Sequence, residues 1–332
     1  METQFAAIIG AIVIAGLVGA VVLWTRTLSR IGASDKPWYE SILATETGER
    51  PFWTVFDFLL AIGLSLVFTI FLQAAFLSLG WISRPAPDQP VDSSAIIAGL
   101  AAQSIAGPLA VFATIGWLRL IRKDALQQLG FAWKAGDFQL GLKWSLMLIP
   151  VVLMISSAIA FLVPYHHPIL ESLAGANSVL LFAVLFVGTA IVTPVVEEFL
   201  FRVMLQGGLQ RMADSDVVVM RTDDTLIQNK TLPEEHASDP LNPYQPAEEI
   251  SLQSTPSGWK PSSFWPIVAA SFVFAMMHWG QGAAPIPLFF LSLGLGFLYR
   301  QTGRITGPVI VHIMLNSFTL SVEFFRLWAI GA

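Results

Sequence analysis

Eight stretches of this chain are long, apolar and nearly free of charge, and that pattern decides most of what it can fold into. They run Phe5–Trp24, Phe58–Trp81, Ala95–Leu118, Leu140–Val163, Val179 to about Leu209, Phe264–Trp279, Pro285–Tyr299 and Ile305 to about Ile330. A bilayer core about 30 Å thick takes about 20 apolar residues of helix, so most of these runs can span it, while the sixth and seventh are short. Composition agrees, because only 12% of the 332 residues are charged, about half the share of a soluble domain. The expected fold class is all-α, a polytopic membrane helix bundle of about eight transmembrane helices. The chain has no cysteine, which excludes disulfides, thiolate nucleophiles and thiolate metal sites. A net charge of -5 gives no footing for nucleic acid.

Basic residues stay on the cytoplasmic side of short loops, and their placement tests the layout independently. Arg26, Arg30, Lys36 and Arg50 follow the first run, and Arg119, Arg122, Lys123, Lys134 and Lys143 surround the end of the third. Arg202, Arg211, Arg221, Lys230 and Lys260 follow the middle of the fifth, and Arg300 and Arg304 lie between the last two. Only Arg84 and Arg326 fall on the other side, so 16 of 18 basic residues agree with one orientation. This places both termini outside an integral membrane protein, with a bacterial cytoplasmic (inner) membrane as the expected setting. The first run lacks a basic flank before it and is about 20 residues long, so it reads as a retained helix rather than a signal peptide. Its Ala7, Ala11, Ala15 and Gly19 form a small-residue stripe suited to close helix packing.

We divide the chain into N-terminal helices (1–118) and a core (119–332) interrupted by an insert at 213–261. The insert has nine acidic and three basic residues, six prolines and no periodicity, which reads as a disordered cytoplasmic loop. His236 within it reads as solvated, and His166 and His167 as interfacial.

Charge inside a span costs about 2.5–3.5 kcal/mol on insertion scales and generally marks function. One cluster stands out, "IVTPVVEEFLFRVML". Glu198 and Arg202 are four residues apart and share a helical face, whereas Glu197 is rotated by about 100°. One carboxylate is thus paired and the other free, and a free glutamate in an apolar site suits a general base that activates water. A purely structural Glu–Arg lock is the competing reading of this motif alone. The next run ends in "SFVFAMMHWG" with His278, and the last carries "GPVIVHIMLNSF" with His312 and Asn316 on one face. Such a pair can donate two hydrogen bonds to an oxygen that turns negative in a tetrahedral intermediate.

In this order the motifs EExxxR (Glu197, Glu198, Arg202), FxxxH (Phe274, His278) and HxxxN (His312, Asn316) resemble those of the CPBP (CAAX protease and bacteriocin-processing, Abi) family of intramembrane endopeptidases. The resemblance covers about residues 125–320, from the "LQQLGF" turn onward, and the 213–261 insert is long for the family. It implies peptide-bond hydrolysis within the membrane, with Glu197 and His278 activating water and His312 with Asn316 stabilising the oxyanion. Glu198, Arg202 and Phe274 would organise the site, and the partners would be the bilayer and a peptide or protein substrate in it, lipidated in the best-known relatives. Zinc is the open alternative, because Glu197 or Glu198 with His278 and His312 make a two-His, one-carboxylate set. The HExxH signature is missing, and with one glutamate paired and the other acting as base, the expectation favours no metal. Two other functions compete with hydrolysis, a binding or immunity protein and a proton-coupled transporter. Distances along the helices from Arg202 and Arg304 place the expected site nearer the cytoplasmic face.

Overall fold

In the computed structural model, residues 2–82, 93–162, 179–214 and 258–331 are described. Among them the chain is a helical bundle. We number the helices α1 (Glu2–Gly32), α2 (Trp38–Ile42), α3 (Val55–Ser78), α4 (Ser93–Ile121), α5 (Ala125–Gln128), α6 (Asp137–Ala160), α7 (residues 179–213), α8 (Trp265–Met276), α9 (Pro285–Thr302) and α10 (Thr306–Gly331). One isolated bridge, Gly48 with Trp259, is the β pairing among the described residues. Six helices, α1, α3, α4, α6, α7 and α10, are long and apolar enough to cross a membrane. The sixth and seventh apolar runs become α8, with 12 residues, and α9, with 18. The expected helical membrane bundle is therefore present, with six long spans and a shorter α8–α9 hairpin where about eight spans were expected. Outward side chains such as Ile14, Val21, Phe71, Phe112 and Phe272 are exposed, which in a chain of this kind is a lipid-facing belt.

The basic residues gather at one end of the bundle. Arg304 donates to both oxygens of Asp137 at 2.8 Å and to Glu46 at 2.7 Å. Arg122 pairs with Asp124 and Glu49, Lys260 with Glu40, and Arg50 donates to the Arg211 carbonyl. This polar layer ties together the segment after α1, the start of α6, the end of α7 and the α9–α10 turn. Helix α1 ends in it and α10 starts from it, so the start of α1 and the end of α10 lie at the opposite end of the bundle. Among the described residues assigned to this flank Arg202 is the exception, being fully buried beside Glu198.

The roots of the insert also meet in the layer, where the Asp214 carboxylate accepts hydrogen bonds from the Trp259 indole and the Ser262 amide. Ends this close let a long loop be accommodated at small entropic cost. Residues 215–257, with His236, lie outside the described residues, as do His166, His167 and Arg84. The small-residue stripe of α1 is used at one end only. A Cβ on Gly19 would sit 3.0 Å from Leu146 of α6, whereas Ala7, Ala11 and Ala15 are exposed.

Helix α7 is α-helical at Val179–Leu185, Thr193–Glu198 and Gly207–Ala213 and π-helical at Phe186–Val192 and Phe199–Gln206. Each widened turn leaves a backbone carbonyl for a side chain elsewhere. The Thr193 N–H bonds the Gly188 carbonyl five residues back, and Pro194 has no N–H to offer. The Thr189 carbonyl accepts from Asn316 Nδ2 of α10 at 3.0 Å instead. In the second turn the Gly207 N–H bonds the Arg202 carbonyl, and the Val203 carbonyl accepts from the Trp53 indole at 2.7 Å.

Arg304, donating to Glu46, holds that carboxyl down at about 2 from its ordinary 4.5. A depressed folded-state value contributes stability that is present above about pH 4.5 and lost as pH falls toward 2. Glu46→Gln is therefore expected to lower the unfolding temperature of the detergent-solubilised protein at pH 7. The gap to the native chain should narrow below about pH 4.5, as followed by thermal unfolding across pH.

Candidate active site

Glu198 is fully buried, and both its oxygens are occupied. Oε2 accepts from Arg202 Nε at 2.9 Å, and Oε1 lies 2.9 Å from His312 Nδ1. A carboxylate only accepts, so His312 Nδ1 carries the proton and its Nε2 faces the other way. Arg202 extends the chain to α9, donating from Nη2 to the Ser292 hydroxyl at 2.7 Å. Its guanidinium lies over the Phe274 ring, 5.6 Å from the centroid. Two opposite charges in a low-dielectric interior are tolerated when further hydrogen bonds support them, and here α9 and α10 supply partners to Arg202 and Glu198, while Arg202 Nη1 is buried without one.

Glu197 points elsewhere, as its rotation along the helix requires, and its side chain is 21% exposed. Its Oε2 is 3.6 Å from His312 Nε2 and its Oε1 is 3.9 Å from His278 Nε2. Helix α8 ends just before His278. Its last amides turn back three residues, His278 N–H to the Ala275 carbonyl and Trp279 N–H to the Met276 carbonyl. The Phe274 carbonyl accepts from His278 Nδ1 at 2.9 Å, so the FxxxH spacing fixes this ring's tautomer and turns Nε2 toward Glu197. The buried Phe274 ring packs 4.9 Å from His278 and 5.9 Å from His312.

The structure thus brings Glu197, Glu198, Arg202, Phe274, His278 and His312 into one cluster, with Asn316 one turn further along α10. Glu197, His278, His312 and Asn316 line one cavity of about 400 Å³. Gln103 and Ser104 of α4, Ser156 of α6, Thr189 and Thr193 of α7, Gln281 and Thr319 complete its polar lining. Helix α8 raises its C-terminal end about 18 Å above its start, while His312 and Asn316 lie about 9 and 15 Å along α10 from Thr306.

Ser292, Thr189 and Gln281 escaped the sequence reading. Ser292 and Gln281 carried a signal, as polar residues inside or beside apolar runs, but single hydroxyls and amides are common helix-packing groups in membranes. The Thr189 contact depends on the π turn, which no spacing rule shows.

The donors bear on the metal question. Glu198 has no free oxygen, so a two-His, one-carboxylate set would have to consume Glu197. Among the described residues no group of three or more His, Cys, Asp or Glu side chains is arranged to hold a metal ion.

The two glutamates should separate cleanly in stability. Glu198→Gln leaves Arg202 buried without its counter-charge and is expected to cost about 3–5 kcal/mol. Glu197→Gln, in a partly open position, should cost less than about 1 kcal/mol. Unfolding of the two variants side by side in one detergent measures the difference.

No curated protein and no solved structure matches the chain significantly. A family model described as type II CAAX prenyl endopeptidase Rce1-like matches residues 245–318. The matched segment holds Phe274, His278, His312 and Asn316, while Glu197, Glu198 and Arg202 precede it. Over those residues the chain is similar to the Rce1-like type II CAAX prenyl endopeptidases, which belong to the CPBP family, and the resemblance carried by the motifs is borne out.

Proposed function

We propose that this chain is an intramembrane endopeptidase of the CPBP type, working without a metal on a peptide or protein substrate held in the membrane. The observation that carries the reading is Glu197 between two imidazoles whose Nδ1 atoms are both engaged elsewhere. His278 Nδ1 is committed to the Phe274 carbonyl and His312 Nδ1 to Glu198. The separations of 3.9 and 3.6 Å from Glu197 exceed hydrogen-bond length, and spacings of this kind between polar groups suit a bridging water.

The chemistry follows from these atoms. A water held by Glu197 and His278 Nε2 attacks the scissile carbonyl carbon, and Glu197 takes its proton. The carbonyl oxygen becomes an oxyanion facing His312 and Asn316. Asn316 has two amide hydrogens and spends one on Thr189, so the other remains for the oxyanion. His312, protonated also at Nε2, supplies the second donor, and Glu198 stabilises that imidazolium. Collapse of the tetrahedral species breaks the C–N bond and returns the proton from Glu197 to the departing amine. Arg202, Ser292 and Phe274 hold Glu198 and both rings in place.

A zinc ion would take Glu197 as a ligand and leave no second carboxylate for the base, since Glu198 is spent on Arg202 and His312. We place the protein in a bacterial cytoplasmic membrane with both termini outside. The core at 119–332 supplies every motif residue, and α4 from the preceding helices supplies one wall of the cavity.

The test is cleavage of a quenched peptide library by the detergent-purified full chain. The native chain is expected to cleave at an unchanged rate with a strong chelator, and Glu197→Gln to lose about 100-fold or more while staying folded. Loss of native activity on chelation would overturn the metal-free mechanism. Equal inactivity of both proteins would overturn the enzyme.

A further inference from the structure

A threonine inside an apolar helix ordinarily settles its hydroxyl on the carbonyl four residues back, because little water is at hand to take its place. This chain follows the rule at Thr27, Thr69, Thr114, Thr189, Thr302 and Thr319, each of which donates to that carbonyl. Thr193 departs from it. Its hydroxyl has no hydrogen-bond partner among the described residues, and the carbonyl four residues back, that of Thr189, accepts from Asn316 Nδ2. The Thr193 N–H bonds Gly188, five residues back, so the departure falls where α7 leaves its widened turn.

The place of this hydroxyl is as telling as its lack of a partner. Thr189, Thr193 and Glu197 succeed one another at intervals of four residues along α7, and all three line the cavity. Helix α10 runs against this face in the opposite direction, since Glu197 Oε2 is 3.6 Å from His312 Nε2 while the Thr189 carbonyl meets Asn316 at 3.0 Å. Thr193 stands about 6 Å before Glu197 along the helix. It is therefore level with the stretch of α10 between His312 and Asn316, the two residues that face the oxyanion. A hydroxyl can donate as well as accept, and an oxygen that gains negative charge has room for a donor beyond those two.

Building on the endopeptidase reading, we propose that the Thr193 hydroxyl is a further donor to the oxyanion, acting beside His312 and Asn316. The hydroxyl keeps its proton throughout and turns it toward the carbonyl oxygen as that oxygen becomes negative. Asn316 serves this arrangement twice, because the amide hydrogen it spends on the Thr189 carbonyl gives that carbonyl a donor other than Thr193. The bond is made most strongly in the tetrahedral species, so its loss falls on kcat rather than on KM.

The test is the rate of peptide cleavage by the detergent-purified full chain, native beside Thr193→Val, Thr193→Ala and Thr193→Ser, with thermal unfolding of each to show that it is folded. Valine keeps the shape of threonine without the hydroxyl, alanine deletes the hydroxyl in a smaller side chain, and serine keeps it. Thr193→Val and Thr193→Ala are expected to lose about 100-fold in kcat with KM little changed, by the same factor at every pH. Thr193→Ser is expected to stay close to the native kcat. A native kcat in Thr193→Val overturns the proposal, because the hydroxyl then only meets water in the cavity. Equal losses in Thr193→Val and Thr193→Ser overturn it in favour of packing, and a displaced acid limb of the pH profile overturns it in favour of a bond to Glu197. Those results leave the endopeptidase reading standing, whereas a native chain that cleaves nothing overturns both.

Discussion

One buried carboxylate governs the site. Glu198 is sealed in the bundle, where an unpaired charge would cost several kcal/mol, and the fold answers with three helices at once: Arg202 from its own helix, His312 from α10, and Ser292 from α9 through Arg202. Satisfying that charge orients His312, orients the face of α7 on which Glu197 stands, and closes the floor of the cavity. Structural and chemical demands therefore coincide in the same atoms. That is why a pair that looks like a simple helix lock in the sequence belongs to the site.

The backbone contributes as much as the side chains. Widened turns before and after the Glu–Glu pair let α7 exchange ordinary hydrogen bonds for contacts with other elements, Asn316 at Thr189 and Trp53 at Val203. Pro194 between them makes the first exchange unavoidable, since its missing N–H leaves a carbonyl unpaired in any register. Close approach of the neighbouring helices depends on small residues. A Cβ on Gly107 would lie 3.0 Å from Val196, and one on Gly207 2.8 Å from the Trp53 indole nitrogen. The turn after the short α8 then adds Gln281 and Ala284 to the lining of the cavity.

Much of this was legible in the sequence because it follows from spacing and hydropathy. The helical membrane bundle, the shortness of the sixth and seventh helices, the gathering of basic residues at one end and the pairing of Glu198 with Arg202 all follow from period, length and charge. The convergence of His278 and His312 on Glu197 was legible only through the combination of three motifs. What escaped was set by backbone register and by long-range partners. Asn316 reaches Thr189 because of a π turn, Arg202 reaches Ser292 about 90 residues away, and the stripe at Ala7, Ala11 and Ala15 is exposed.

The central claim is that Glu198 and His312 act as one unit, the carboxylate holding the ring whose far nitrogen serves the reaction. A double-mutant cycle on kcat/KM for peptide cleavage, using Glu198→Gln, His312→Gln and the combined variant, tests it most directly. The account predicts strong non-additivity, with the double variant no slower than the worse single one. Losses that multiply would mean that the two residues act independently, and would contradict it.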